Sequence, residues 1–214
     1  MDMDLSLRYA DVNQYHRPDR IVRVEKMSAG ARCHCRNSLQ LELTFVHPAL
    51  LRVAYRLPHF STAYSSYTID PDLPEEPVEV QHVEQTQAYL LQTAAMQIHI
   101  DRQTGRLRME DALGNLLQED KQGFSAVESL NKGVTRVQID KRIQASEDFF
   151  GLGDKSGRLQ LRGQRLQNWN TDAFAYGADS DPLYRSIPFF FGLQEGRAYG
   201  LLLDNTYRST FDFG

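Results

Sequence analysis

Trp169-Asn-Thr-Asp172-Ala-Phe-Ala-Tyr176 is the segment richest in groups that could do chemistry. It holds the only tryptophan of the chain, a carboxylate, small polar side chains and a following tyrosine. A carboxylate accepts several strong hydrogen bonds, so one Asp can fix two neighbouring hydroxyls at once. With an aromatic ring under a C–H face, that is how a sugar is held. The same residue types also build a plain structural turn, and composition alone leaves both readings open.

Other constellations are weaker. Gly151-Leu-Gly-Asp-Lys-Ser-Gly157 invites a phosphate-loop reading, but Asp154 stands where the glycine before the lysine is needed. The dinucleotide fingerprint fails on spacing as well, so a glycine-rich turn with a structural Asp154 is the better account. Asp179-Ser-Asp181-Pro182 offers two carboxylates where calcium takes 6–8 oxygens, which favours an acidic turn. His16, His34, His47, His59, His82 and His99 show no metal-ligand pairing. Cys33 and Cys35 lack two further zinc ligands in register and read as structural thiols. No metal and no cofactor is expected. Reduced thiols and an acidic start, Met1-Asp-Met-Asp4, point to a cytoplasmic location.

These residues need a scaffold. The chain has 214 residues, 24 of them Lys or Arg and 28 Asp or Glu, for a net charge of −4. That balance recruits neither nucleic acid nor an anionic membrane, and no apolar run approaches the ~20 residues of a membrane span. The dominant period is two. Leu39, Leu41, Leu43 and Phe45 alternate with polar residues, and Leu51, Val53 and Tyr55 do so after the break at Pro48. Met96, Ile98 and Ile100 lead into the turn Arg102-Gln-Thr-Gly105 and then Leu107 and Met109, the clearest hairpin. Val137 and Ile139 mark another strand. No segment keeps a helical stripe. Many short strands between turn signals indicate an all-β, antiparallel β-sandwich. No domain boundary is evident, so residues 1–214 are taken as one domain.

Two stretches depart from this pattern. Residues 57–101 carry no Lys or Arg but seven acidic residues, and Asp70 to Pro77 reads as an extended surface loop. From Phe149 the chain grows dense in Gly, Asn, Asp and aromatics, and its periodicity dissolves. Loops on a sheet scaffold are where binding residues concentrate. Within Phe189-Phe-Phe191, alternation of faces requires at least one ring to point out of the core.

Motifs in this last third occur in order. They are Glu147-Asp-Phe-Phe-Gly-Leu-Gly-Asp-Lys-Ser-Gly157, Arg162-Gly163, Trp169-Asn-Thr-Asp-Ala173, Asp181-Pro-Leu-Tyr-Arg-Ser-Ile-Pro-Phe-Phe190, Tyr199-Gly200, Asp204-Asn-Thr-Tyr-Arg-Ser209 and Phe211-Asp-Phe-Gly214. Together they closely resemble the family 31 glycoside hydrolases, the retaining α-glucosidases and their relatives. The resemblance implies a galactose-mutarotase-like supersandwich, the N-terminal domain that precedes a catalytic (β/α)₈ barrel. It implies that the two catalytic carboxylates lie in that barrel, whose nucleophile motif is absent here, so the chain reads as an N-terminal fragment without catalytic residues. It further implies that the domain packs on the barrel and lends a loop to the sugar pocket. Asp172 matches that loop's substrate-contacting acid. Trp169, Asn170 and Thr171 then support the loop, and Tyr184 and Arg185 hold its base. The expected partners are an α-linked glucoside or oligosaccharide and the barrel itself.

Two other classes compete with this reading. A mutarotase needs a general acid and base, typically His and Glu, in one pocket, and no His follows His99. A stand-alone carbohydrate-binding module needs aromatics aligned on one sheet face, for which Tyr64, Tyr67 and Tyr89 are the candidates. Without a pair of carboxylates at the retaining separation of ~5–5.5 Å, the 214-residue chain is expected not to turn over an aryl α-glucoside. Activity that follows the protein peak through repurification would overturn this.

Overall fold

In a computed structural model, residues 13–58, 66, 68, 77–129 and 132–214 are described. Tyr64, Tyr67 and most of the expected acidic surface loop at 70–77 lie outside them. The described residues contain strands and no α-helix, arranged as antiparallel sheets. By internal contacts they fall into two units that meet in sequence at Arg142 and Ile143, with Ser66 and Thr68 in the second.

The first unit runs through β1 (Asn13–His16), β2 (Ile21–Met27), β3 (Gly30–Cys35), β4 (Gln40–His47), β5 (Leu50–Arg56), β6 (Gln81–Glu84), β7 (Ala88–Gln92), β8 (Met96–Asp101), β9 (Leu107–Asp111), β10 (Leu116–Ser129) and β11 (Gly133–Lys141). Four strands form the sheet β2-β3-β4-β5, and seven form β1-β10-β9-β8-β7-β6 with β11 also on β10. The alternation that marks β4 and the β8–β9 hairpin is what packs them. Ala31, Cys33, Leu41, Leu43 and Phe45 of the smaller sheet share one core with Tyr89, Leu91, Ile98, Ile100, Leu107 and Met109 of the larger. Each large apolar side chain among them contributes roughly 1.5–3 kcal/mol when withdrawn from water. The Gly105 turn falls as expected, its φ of +64° suiting glycine.

Tyr89 is not an exposed platform. It is fully buried and its hydroxyl meets His82 Nδ1 at 2.9 Å, because its position on β7 faces the other sheet. Cys33 and Cys35 lie in apolar surroundings on the same face of β3. Burial pushes the Cys33 thiol up to about 12 and raises Cys35 as well.

The second unit holds β12 (Asp148–Gly153), β13 (Arg165–Asn168), β14 (Ser186–Gln194), β15 (Arg197–Leu202) and β16 (Ser209–Asp212). The expected loops are present over residues 154–164 and 169–185, but strands alternate with them. Strands β12-β14-β15 make one sheet and β13-β16 a second, around Phe149, Leu152, Leu161, Leu166, Phe190 and Phe213. The aromatic rings meet at centroid distances of 4.7–5.8 Å, Phe149 on Phe213 and Phe190 and Phe190 on Phe213. Periodicity is hidden in the sequence because β14 is apolar on both faces. Phe190 points inward, whereas Ile187, Phe189, Phe191 and Leu193 face out.

This packing is open to test at two places. At Gly151 (φ +130°) and Gly153 (φ +80°) an added Cβ would meet backbone of β14 or its approach, 2.6 Å from Phe189 O and 2.5 Å from Arg185 O. Gly153→Ala should therefore cost at least about 1–2 kcal/mol, read as a Tm lower by roughly 2–8 °C; an unchanged Tm would contradict the close approach. The two cysteines should ignore a thiol reagent at about pH 8 in the folded chain and both react in denaturant.

Candidate functional site

The site is built on the second unit, where three segments meet at Lys155. Its side chain is only 5% exposed. Nζ lies 2.8 Å from Asp181 Oδ1 and also donates to the carbonyl of Gln167. The other carboxylate oxygen of Asp181 accepts from the Gln167 N–H at 2.6 Å. The glycine-rich turn after β12, the end of β13 and the acidic turn 179–182 are thus tied by one ion pair. Both oxygens of Asp181 have protein partners, so a lysine organises this turn. The adjacent Asp181–Pro182 peptide is cis.

A second tie runs alongside. Arg185 grips Asp154 with Nε at 3.0 Å from Oδ2 and Nη2 at 3.2 Å from Oδ1. The Asp154 N–H donates back to the Arg185 carbonyl at 2.9 Å. The hydrogen bond from Arg185 holds the Asp154 carboxyl below its ordinary range. Ser156 Oγ donates to the Ser180 carbonyl at 2.7 Å, adding a further clasp between the glycine-rich and acidic turns.

On this base sits the stretch from Trp169 to Tyr184. The Thr171 N–H donates to the carbonyl of buried Leu183 at 3.0 Å. Asn170 Oδ1 accepts from the Ser186 N–H at 2.9 Å. Tyr184 Oη donates to the Ala173 carbonyl at 2.9 Å, and its ring meets Tyr176 edge-on, centroids 6.1 Å apart. Asp172 therefore lies between two pinned backbone groups, the N–H of Thr171 before it and the carbonyl of Ala173 after it. Its own carboxylate is exposed and has no hydrogen-bond or ion-pair partner among the described residues. Trp169 is half exposed, and the Arg208 guanidinium lies 5.1 Å from its ring centroid. One face of the indole is thereby covered, which reduces its use as a stacking platform.

Sequence reasoning missed Lys155 and Arg208. Lysine reaches Asp181 across 26 residues, and arginine reaches Trp169 from a distant strand end, and no spacing rule announces either contact. It also missed Glu147. This carboxylate is buried, accepts from Tyr199 Oη at 2.6 Å and from the Gln144 N–H at 2.8 Å, and has Arg162 donating to its own carbonyl. Burial, followed by the hydrogen bond to Glu147, pushes the Tyr199 phenol well above its ordinary range. The pair fixes the start of β12 beneath the glycine-rich turn.

Residues 40–212 match the family described as the glycosyl hydrolase 31 N-terminal galactose mutarotase-like domain. An alpha-glucosidase 2 of Bacillus thermoamyloliquefaciens is 31% identical over 182 residues, covering 84% of this chain and 22% of that protein. An alpha-glucosidase of Saccharolobus solfataricus is 35% identical over 101 residues, 44% of this chain and 15% of that protein. Among solved structures, a Flavobacterium johnsoniae GH31 dextranase complexed with isomaltotriose superposes with a TM-score of 0.79 at 28% identity, over 93% of this chain and 24% of that one. The chain thus spans about a quarter or less of these relatives. With its antiparallel strands and the match over most of its length, the chain belongs to the glycosyl hydrolase 31 N-terminal galactose mutarotase-like domain family.

Proposed function

We propose that this chain is the non-catalytic N-terminal part of a retaining α-glucosidase-type enzyme, and that it presents Asp172 to an α-linked glucoside bound in a following barrel. The observation that carries the reading is the exposed Asp172 carboxylate, without a partner among the described residues, between two immobilised peptide groups. Among the described residues no contact of the fold uses this acid, while its backbone is held as a binding group needs to be. Poised this way, it accepts from a pair of sugar hydroxyls with little ordering cost at binding. The relatives support the substrate class: curated alpha-glucosidases match the chain, and the dextranase structure carries isomaltotriose.

The division of labour follows from the contacts. Asp172 touches substrate. Trp169, Asn170 and Thr171 shape the loop, Tyr184 and Arg185 brace it, and Lys155 with Asp181 sets its base. The outward face of β14 and β15, with Ile187, Phe189, Phe191, Leu193 and Leu202 exposed, supplies an apolar surface of the kind that marks an interface. We assign that surface to packing on the barrel.

In the complete enzyme, Asp172→Ala should lower kcat/KM by about 10- to 100-fold, as expected when a charged hydrogen bond worth ~1.5–3 kcal/mol is removed. Its Tm should stay that of the parent. Asp172→Asn should recover only part of the loss, because the amide accepts through one oxygen alone. Lys155→Met should behave differently and lower Tm as well, since it leaves Asp181 without its cation. If Asp172→Ala keeps kcat/KM within about twofold for every α-glucoside tried, Asp172 is a turn residue and the assignment fails.

A further inference from the structure

Among the described residues, strand β11 lies at a sheet edge and pairs with β10 alone. Val134 packs on the core, but over Arg136–Ile139 both faces of the strand are wet, with Val137 54% and Ile139 39% exposed on one and Arg136 and Gln138 exposed on the other. Its pairing with β10 is regular over Arg136–Asp140 and shifts register on both sides, where Val127/Glu128 and Asp120/Gly123 break the ladder. This stretch therefore offers a straight row of backbone donors and acceptors away from β10. Natural sheets guard such a row with proline, charged side chains, bulges or a covering segment; this stretch contains no proline, its register breaks lie outside Arg136–Asp140, and its two charges, Arg136 and Asp140, are opposite in sign.

Its sequence is self-complementary. Arg136-Val-Gln-Ile-Asp140 reads positive, apolar, amide, apolar, negative. A second copy docked antiparallel edge to edge is related by a two-fold axis perpendicular to the sheet. Each side chain then stays on its own face, so opposed residue numbers must share parity. Centring the axis on Gln138, the midpoint of the regular stretch, opposes Gln138 with Gln138, Val137 with Ile139 and Arg136 with Asp140, the last two pairs occurring twice. Moving the axis one residue toward Ile139 would oppose Arg136 with Arg142. Within the chain itself neither the Arg136 guanidinium nor the Asp140 carboxylate has a partner among the described residues. Cross-strand pairs of opposite charge and of β-branched residues are what stabilise an antiparallel ladder.

We propose that β11 pairs with β11 of a second copy of this chain, in the Gln138-centred antiparallel register, to form a symmetric dimer with one sheet continuous across it. The contact is isologous, as two-fold symmetry demands. A single strand pair buries less than a standard interface, so the association belongs to the weak class.

Sedimentation equilibrium of the chain from about 1 to 100 µM covers that class. The parent should dimerise within this range. Arg136→Glu and Asp140→Lys each place like charges opposite one another twice and should each weaken association about tenfold or more. In an equimolar mixture of the two variants, each heterodimer opposes the introduced carboxylate with the introduced ammonium, and the remaining Arg136 with the remaining Asp140. The mixture should recover association to within about threefold of the parent. Recovery also shows that both variants are folded. A parent that stays monomeric throughout, single variants that associate as well as the parent, or a mixture no tighter than its components would each overturn the proposal. Association through the apolar face of β14 would show as indifference to both substitutions, which overturns it too.

Discussion

The arrangement of the candidate site depends on one cation withdrawn from water. Lys155 is all but buried, and an ammonium in that position is tolerated only because the Asp181 carboxylate and the Gln167 carbonyl receive it. Removing one member of such a pair costs about 3–5 kcal/mol, because the other is left as an uncompensated charge. That penalty gives the tie its directional force. The turn after β12, the end of β13 and the acidic turn cannot drift apart without exposing the imbalance. The loop leaving β13 at Trp169 and returning at Tyr184 begins and ends on these same segments, so its two stems are set before the loop makes any contact of its own.

Around this tie the aromatic core of the second unit supplies most of the burial. Phe149, Phe190 and Phe213 meet mainly edge to face, which fixes relative ring positions more tightly than aliphatic packing does. Gly151 and Gly153 let β12 approach β14 where a Cβ would strike main chain. The result is a rigid platform that ends in an exposed carboxylate. A group placed this way loses little freedom on meeting a ligand, and what it gains there is not already spent on the fold.

How much of this could be read in the sequence depends on how strictly polar and apolar residues alternate. Strands β4, β8 and β9 each bury one face and wet the other, and their boundaries fall within a few residues of where the alternation places them. Strand β14 escapes because Phe189 and Phe191 are as apolar as the inward Phe190. Strand β15, Arg-Ala-Tyr-Gly-Leu-Leu, has no polar–apolar alternation to read, and the four residues of β16 are too few to separate from loop. Tyr89 looks like any surface tyrosine until β7 is seen to face the second sheet. In the site, Asp172 is reached through the match of Trp169-Asn-Thr-Asp172 to a family motif, since nothing in its neighbours alone distinguishes a binding acid from a turn acid. The Lys155–Asp181 and Arg208–Trp169 contacts join residues far apart in the chain, and only the tertiary structure brings them together.

The central claim is that Asp172 accepts hydrogen bonds from particular hydroxyls of a bound sugar. A cycle of enzyme and substrate changes tests this most directly. In the complete enzyme, kcat/KM is measured for an aryl α-glucoside and its monodeoxy analogues, with the parent and with Asp172→Ala. The account predicts that for one hydroxyl, or one adjacent pair, the penalty for deleting it shrinks by about tenfold or more in the variant, because its acceptor is already gone. Penalties that are the same in parent and variant at every position would show that Asp172 receives no sugar hydroxyl, and would contradict the account.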